Sequence, residues 1–119
     1  GFKPADAASP YFELWYLPFD ESAEIPQFRP CVNAPAQMSD GFTLFYTSQC
    51  PFTAKYVPLL CAAAEKRGVK LTSVHIDTRE AAQNAPCPFT TFSLWHNGNF
   101  ITHEIQSVPK FEKIIDGIV

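Results

Sequence analysis

From residue 41 the apolar positions fall into a regular alternation of strand-like and helix-like periods. Phe42 to Thr47 is a short apolar run suited to a buried strand. Pro51 to Arg67 changes period: Phe52, Tyr56, Leu59, Leu60, Ala63 and Ala64 recur at steps of three and four, which predicts a helix. Gly68 follows as a left-handed terminator. Lys70 to Ile76 reads as a second strand closed by Asp77, and Thr78 to Asn84 as a short helix. Thr90 to His96 is a third strand. Asn97-Gly98 is the strongest hairpin signal in the chain, so Phe100 to Ile105 is expected to return antiparallel. Ser107 can cap a last helix, with Pro109 in its first turn and Phe111, Ile114, Ile115 and Ile118 as its buried face.

Residues 1 to about 40 lack this regularity. Pro4, Pro10, Pro18, Pro26, Pro30 and Pro35 are dense enough to exclude a long helix, because proline fixes φ and has no amide donor. Tyr11 to Leu17 is a β-rich run ended by Pro18, and predicts one strand. Asp20 to Asp40 reads as a linker or an irregular strap. The division is therefore a strap over 1–40 and a domain over 41–119. Strand, helix, strand, short helix, strand, hairpin, strand, helix is a βαβ unit followed by a ββα unit. Such a chain forms an α/β fold with a central mixed sheet and helices on both faces.

Composition narrows the function classes. A chain of 119 residues, 46% apolar and 18% charged, has room for one ordinary core. Its formal net charge is −3 and lysine and arginine form no run. Neither nucleic acid nor an anionic membrane surface is an expected partner, since both require a concentrated basic face. No apolar stretch nears the roughly 20 residues that span a bilayer. The expected compartment is the cytoplasm. The chain begins with Gly1, and reads as a fragment or a processed chain.

Four cysteines, Cys31, Cys50, Cys61 and Cys87, are expected as free thiols, and no Cys-x-x-Cys pair is present. Cys50 opens the tetrapeptide Cys50-Pro51-Phe52-Thr53 between the first strand and helix. At a helix N-terminus a thiol meets unpaired backbone N–H groups and the positive end of the macrodipole, which favour the thiolate. Thr53, three residues on, is placed to donate its hydroxyl to that thiolate. The tetrapeptide recurs at Cys87-Pro88-Phe89-Thr90. Cys61 falls on the helix's apolar face and Cys31 in the strap. His75, His96 and His103 lack metal-ligand spacing, so no metal is expected.

The order of elements, with Cys-Pro-Phe-Thr at the first strand–helix junction, resembles the thioredoxin and glutaredoxin superfamily. Pro58, the Val69 to Asp77 strand, the Asn97-Gly98 turn and the final helix fit the same pattern. This resemblance implies a cis-proline facing Cys50, at Pro88 with Pro86 as its rival, and a groove formed by Pro51, Phe52, Cys87, Pro88 and Phe89. It would also set Cys87 close to Cys50. Cys50-Pro-Phe-Thr and Ala82 to Thr91 further resemble the YoaP-like domain, a thioredoxin-like module at the C-terminus of some GNAT acetyltransferases. Gly1-Phe2-Lys3 and the Tyr11 to Leu17 strand resemble the last two strands of a GNAT fold. An N-terminal acetyltransferase domain in cis is the implied partner. Acetyl-CoA would belong to that domain, because no Arg/Gln-x-x-Gly-x-Gly/Ala loop occurs here.

Three functions follow as expectations. One is an accessory domain presenting the Cys50 turn and cis-proline groove to a small-molecule or thiol substrate or a partner. The alternative is a monothiol glutaredoxin-like oxidoreductase, whose Cys50 would need glutathione or a distant resolving cysteine. The third is a homodimer formed through the unpaired Tyr11 to Leu17 strand.

Overall fold

A computed structural model describes residues 1–32, 38 and 40–118; Pro35 and the stretch just before the expected boundary at residue 40 lie outside the described residues. The chain folds as β1 (Lys3–Ala8), β2 (Phe12–Tyr16), a 3-10 turn over Pro30–Val32, β3 (Phe42–Tyr46), α1 (Pro51–Lys66), β4 (Leu71–His75), α2 (Arg79–Gln83), β5 (Phe92–His96), β6 (Asn99–Thr102) and α3 (Val108–Ile118). The main sheet has the order β4-β3-β5-β6. Strands β3 and β4 are parallel, while β3 with β5 and β5 with β6 are antiparallel. The sheet is mixed, as the alternation of periods predicts.

Register decides what the core contains. Leu44 lies opposite Leu94, Phe42 opposite His96 and Tyr46 opposite Phe92. The period of two then puts Phe42, Leu44, Phe92 and Leu94 on one face. Val57, Leu60 and Ala64 of α1 and Phe111 and Ile115 of α3 cover that face, and the cluster is almost fully buried. The helix face differs from the expected one. On α1 the buried residues are Thr53, Val57, Leu60, Ala63 and Ala64, whereas Phe52 and Leu59 are exposed. Two stripes at helical spacing overlap on this helix, and packing selects the one that runs through Thr53.

Helix α1 ends as expected. Val69 N–H donates to the Ala64 carbonyl and Gly68 N–H to that of Glu65, with Gly68 at φ 68°. This pair of bonds satisfies carbonyls the helix leaves open. The β5–β6 turn has both central residues at positive φ, Asn97 at 48° and Gly98 at 81°, and His96 pairs directly with Asn99. That is the two-residue hairpin the Asn-Gly dipeptide calls for. Asn97 also reaches beyond its own turn. Gly41 N–H donates to its Oδ1 at 2.7 Å, and Asn97 N–H donates to the Gly41 carbonyl at 2.9 Å. Gly41 itself has φ 88°, and a Cβ there would lie 2.9 Å from the Lys70 carbonyl oxygen. Only glycine accommodates both conditions.

The N-terminal region corrects one expectation. It holds two strands, not one: β1 pairs antiparallel with β2, with an irregularity between Pro4 and Asp6. Lys3–Ala8 shows no apolar alternation, so its extended form comes from pairing and not from its own pattern. The Tyr11 to Leu17 strand is accordingly paired on one side, by β1. The region also docks. Phe12 sits edge-on to Phe100 at 5.8 Å, and Tyr11 and Phe12 each lie 5.6 Å from the His103 ring. Phe28 N–H donates to Asp6 Oδ2, and Cys31 Sγ donates to the Gln83 carbonyl.

Candidate functional site

Cys50 is the N-cap of α1, at φ −118° and ψ 128°, and its side chain makes no capping bond. Pro51 follows at the first helical position, where a missing N–H costs nothing. The Cys50 thiol is half-buried. Thr53 does not point its hydroxyl at the sulfur as expected. Thr53 Oγ1 donates instead to the carbonyls of Thr47, at 2.7 Å, and Cys50, at 2.8 Å. Its hydroxyl carries a single proton, and two backbone acceptors in a buried place hold it. Thr53 therefore ties the start of α1 to the end of β3 and leaves the thiol alone.

The second Cys-Pro-Phe-Thr segment is built differently. Cys87 is buried, and removal from water pushes its thiol pKa up, against a smaller downward pull from the Phe89 backbone hydrogen bond. All four cysteines are free thiols, so no disulfide joins Cys50 and Cys87. The expected cis-proline is absent at both candidate positions. Among the described residues only Ser9-Pro10 is cis, so the bonds before Pro86 and Pro88 are trans. Resemblance of sequence order could not reveal this, because proline permits both isomers.

Phe52 is exposed and its ring neighbours Tyr56 at 6.3 Å. Phe89 lies 4.8 Å from the His103 ring, and Phe92 lies in the core. What does meet is the flanks of the two segments. Thr47 N–H donates to the Thr91 carbonyl, and the hydroxyls of Thr47 and Thr91 both donate to Gln49 Oε1 at 3.2 Å.

Two cavities open around this junction. The first, of about 460 Å³, lies at the C-terminal ends of β3 and β4 and is lined by Thr47, Ser48, Gln49, His75, Asp77 and Thr90 among others. Ligands commonly bind at this end of parallel strands. Ser48 Oγ and His75 Nε2 are hydrogen-bonded at 2.9 Å, and Tyr46 stacks on the His75 ring at 4.7 Å. The second cavity, of about 410 Å³, lies between the strap and α2, and Arg29, Cys87 and Pro88 line it. Sequence reasoning placed Cys87 and Pro88 in a groove but missed Ser48, Gln49, His75, Asp77 and Arg29. Their one sequence signal was position, at the ends of two predicted parallel strands, and Arg29 had none. Among the described residues no three His, Cys, Asp or Glu side chains form a metal-binding group, and no helix is long and apolar enough to cross a membrane.

The buried Cys87 gives a direct expectation. Its protonated form is favoured by folding, so stability is unaffected by this group at neutral pH. Stability falls as pH rises past the ordinary thiol value, about 8.5, because the unfolded thiol ionises first. Chemical denaturation of Cys87→Ala between pH 7 and 10 is expected to show a shallower alkaline loss than the parent chain. At neutral pH, mass spectrometry after brief iodoacetamide treatment of the native chain should find Cys87 unmodified.

A family described as YoaP-like matches residues 71–113, which include Cys87, Pro88 and Phe89 but not the Cys50 to Thr53 turn. The chain is 40% identical over 116 residues to the "Uncharacterized N-acetyltransferase YoaP" of Bacillus subtilis (strain 168). That alignment takes in 98% of this chain and 46% of the other, so the chain spans about half the length of the curated relative it matches.

Proposed function

We propose that this chain is a thioredoxin-like accessory domain of a GNAT-type N-acetyltransferase, whose Cys50 turn and Pro88-lined groove receive a substrate or partner. The observation that carries this reading is the 40% identity, over nearly the whole chain, to a protein named as an N-acetyltransferase and about twice as long. The mixed sheet order β4-β3-β5-β6 and the helix that starts at Cys50 support the fold part of it. A catalytic domain in cis would hold acetyl-CoA. The groove would lack the cis-proline of thioredoxins, since Pro88 is trans.

The test compares the longer enzyme with and without residues 41–119, measuring kcat and KM for acetyl transfer to amine acceptors. A KM for the acceptor raised at least tenfold by the deletion is the expected result. Unchanged kcat and KM would sink the proposal.

A second reading rests on Cys50 itself, a half-buried free thiol at the start of a sixteen-residue helix with no capping bond on its side chain. As a monothiol oxidoreductase it would attack the sulfur of a glutathione mixed disulfide as the thiolate. The glutathionyl sulfur would pass to Cys50 and the substrate thiolate would leave, and a second glutathione thiolate would then free Cys50 as glutathione disulfide. Titration of Cys50 alkylation by iodoacetamide against pH tests this. An apparent pKa at or above about 8.5, the value of an ordinary thiol, rules the reading out.

A further inference from the structure

The two cavities beside α2 are adjacent, since Ala82 and Thr90 line both. Their linings carry opposite charge. Asp77 is the one formally charged side chain lining the cavity at the strand ends, and Arg29 the one lining the cavity under the strap. Neither charge is answered among the described residues. The sole ion pair among the described residues is Arg67 with Asp116, and neither Asp77 nor Arg29 makes a side-chain hydrogen bond there. Asp6, which anchors the strap, already accepts from Phe28 N–H. The linings also hold groups suited to an amide. Gln49 has its carboxamide oxygen taken by the hydroxyls of Thr47 and Thr91, and its NH2 has no acceptor among the described residues. Leu14, Pro26, Val32 and Ala85 supply an apolar wall under the strap.

We infer that these cavities form one bipolar cleft for a short peptide with free termini, its ammonium at Asp77 and its carboxylate at Arg29. The cavity volumes suit a few residues better than one, because pockets of 300–1,000 Å³ hold ligands well beyond the size of a single amino acid. Arginine matches a carboxylate with two parallel N–H donors. Asp77 offers only acceptors, which fits an ammonium with three donors. The apolar wall takes an aliphatic side chain, and Gln49 and Thr90 take the peptide groups. A ligand with one charge would leave the other end unmatched. This inference rests on the reading of the region as a substrate or partner site, and names the ligand class.

The test is calorimetric titration of the 119-residue chain with Ala-Leu-Ala, with its N-acetyl form and with its C-terminal amide. The free tripeptide is expected to bind at least tenfold more tightly than either blocked form. In Asp77→Asn the free and N-acetyl peptides should bind alike, and in Arg29→Met the free and amidated peptides should bind alike. Both side chains are exposed, so circular dichroism should show the parent fold in each variant. No measurable binding of Ala-Leu-Ala overturns the inference, and so does discrimination that survives both substitutions. If deleting residues 41–119 from the longer enzyme still raises KM while the tripeptide fails to bind, the cleft assignment falls and the accessory-domain reading stands.

Discussion

Phe111→Ala is expected to lower the free energy of unfolding by about 3–5 kcal/mol, the range for emptying a fully buried phenylalanine site. Phe111 is completely buried, and its ring stands edge-on to Phe42 at 5.4 Å and 77°. Phe42 belongs to β3 and Phe111 to α3, so the lost contact is the one that seats the last helix on the central strand. Close collapse around the void is hindered because Leu60, Leu94 and Ile115 on its flanks are themselves fully packed. Domains of this size have about 5–15 kcal/mol in total, so the variant should be near the edge of folding. Urea denaturation would show it as a sharply reduced midpoint with an unchanged slope. Phe111→Leu keeps most of the volume and is expected to cost less than about 2 kcal/mol. Equal losses in the two variants would show that the ring itself, and not the filled space, matters.

Thr53→Val is expected to cost about 1–3 kcal/mol, because it keeps the side chain's shape but leaves a buried acceptor unmatched. Of the two carbonyls that Thr53 serves, Cys50 retains the Thr53 backbone N–H at 3.1 Å, while the Thr47 carbonyl loses its threonine hydroxyl. The loss falls where β3 hands over to α1, so it should loosen the turn that positions Cys50. The check is therefore double: the denaturation midpoint falls, and iodoacetamide alkylates Cys50 faster than in the parent. Thr53→Ser restores the donor and should recover both values. A slower or unchanged alkylation rate in Thr53→Val would mean that the hydroxyl stabilises the fold without holding the turn.

Most of the architecture was legible because local chemistry and tertiary contacts agree. Gly68, Asn97-Gly98 and the Phe111/Ile115 spacing each specify a conformation that packing then uses. Failures occurred where local chemistry is silent. Strand β1 is made by its partner, since Lys-Pro-Ala-Asp-Ala-Ala has no strand pattern of its own. On α1 the residues Phe52, Tyr56 and Leu59 form an apolar stripe as regular as the buried one, and only the neighbouring sheet decides between them.

The site was less legible than the fold. Cys50 stands at the start of α1 as expected, but the fate of the Thr53 proton depends on two carbonyls within reach, which spacing does not reveal. The isomer before Pro88 is set by tertiary context. Arg29 and Asp77 are far apart in sequence, and each looks like an ordinary surface charge until the strap is seen beside α2.

The reciprocal bonds between Gly41 and Asn97 carry a consequence for how the two halves of the domain report on each other. One partner begins the βαβ unit and the other turns the ββα unit, so the Gly41 amide is held only when both units are joined. Exchange of that single proton with solvent would therefore track the coming apart of the halves, while amides inside β5 or α1 track the unravelling of each half. A glycine amide at the start of the central strand thus serves as a clock for inter-unit opening.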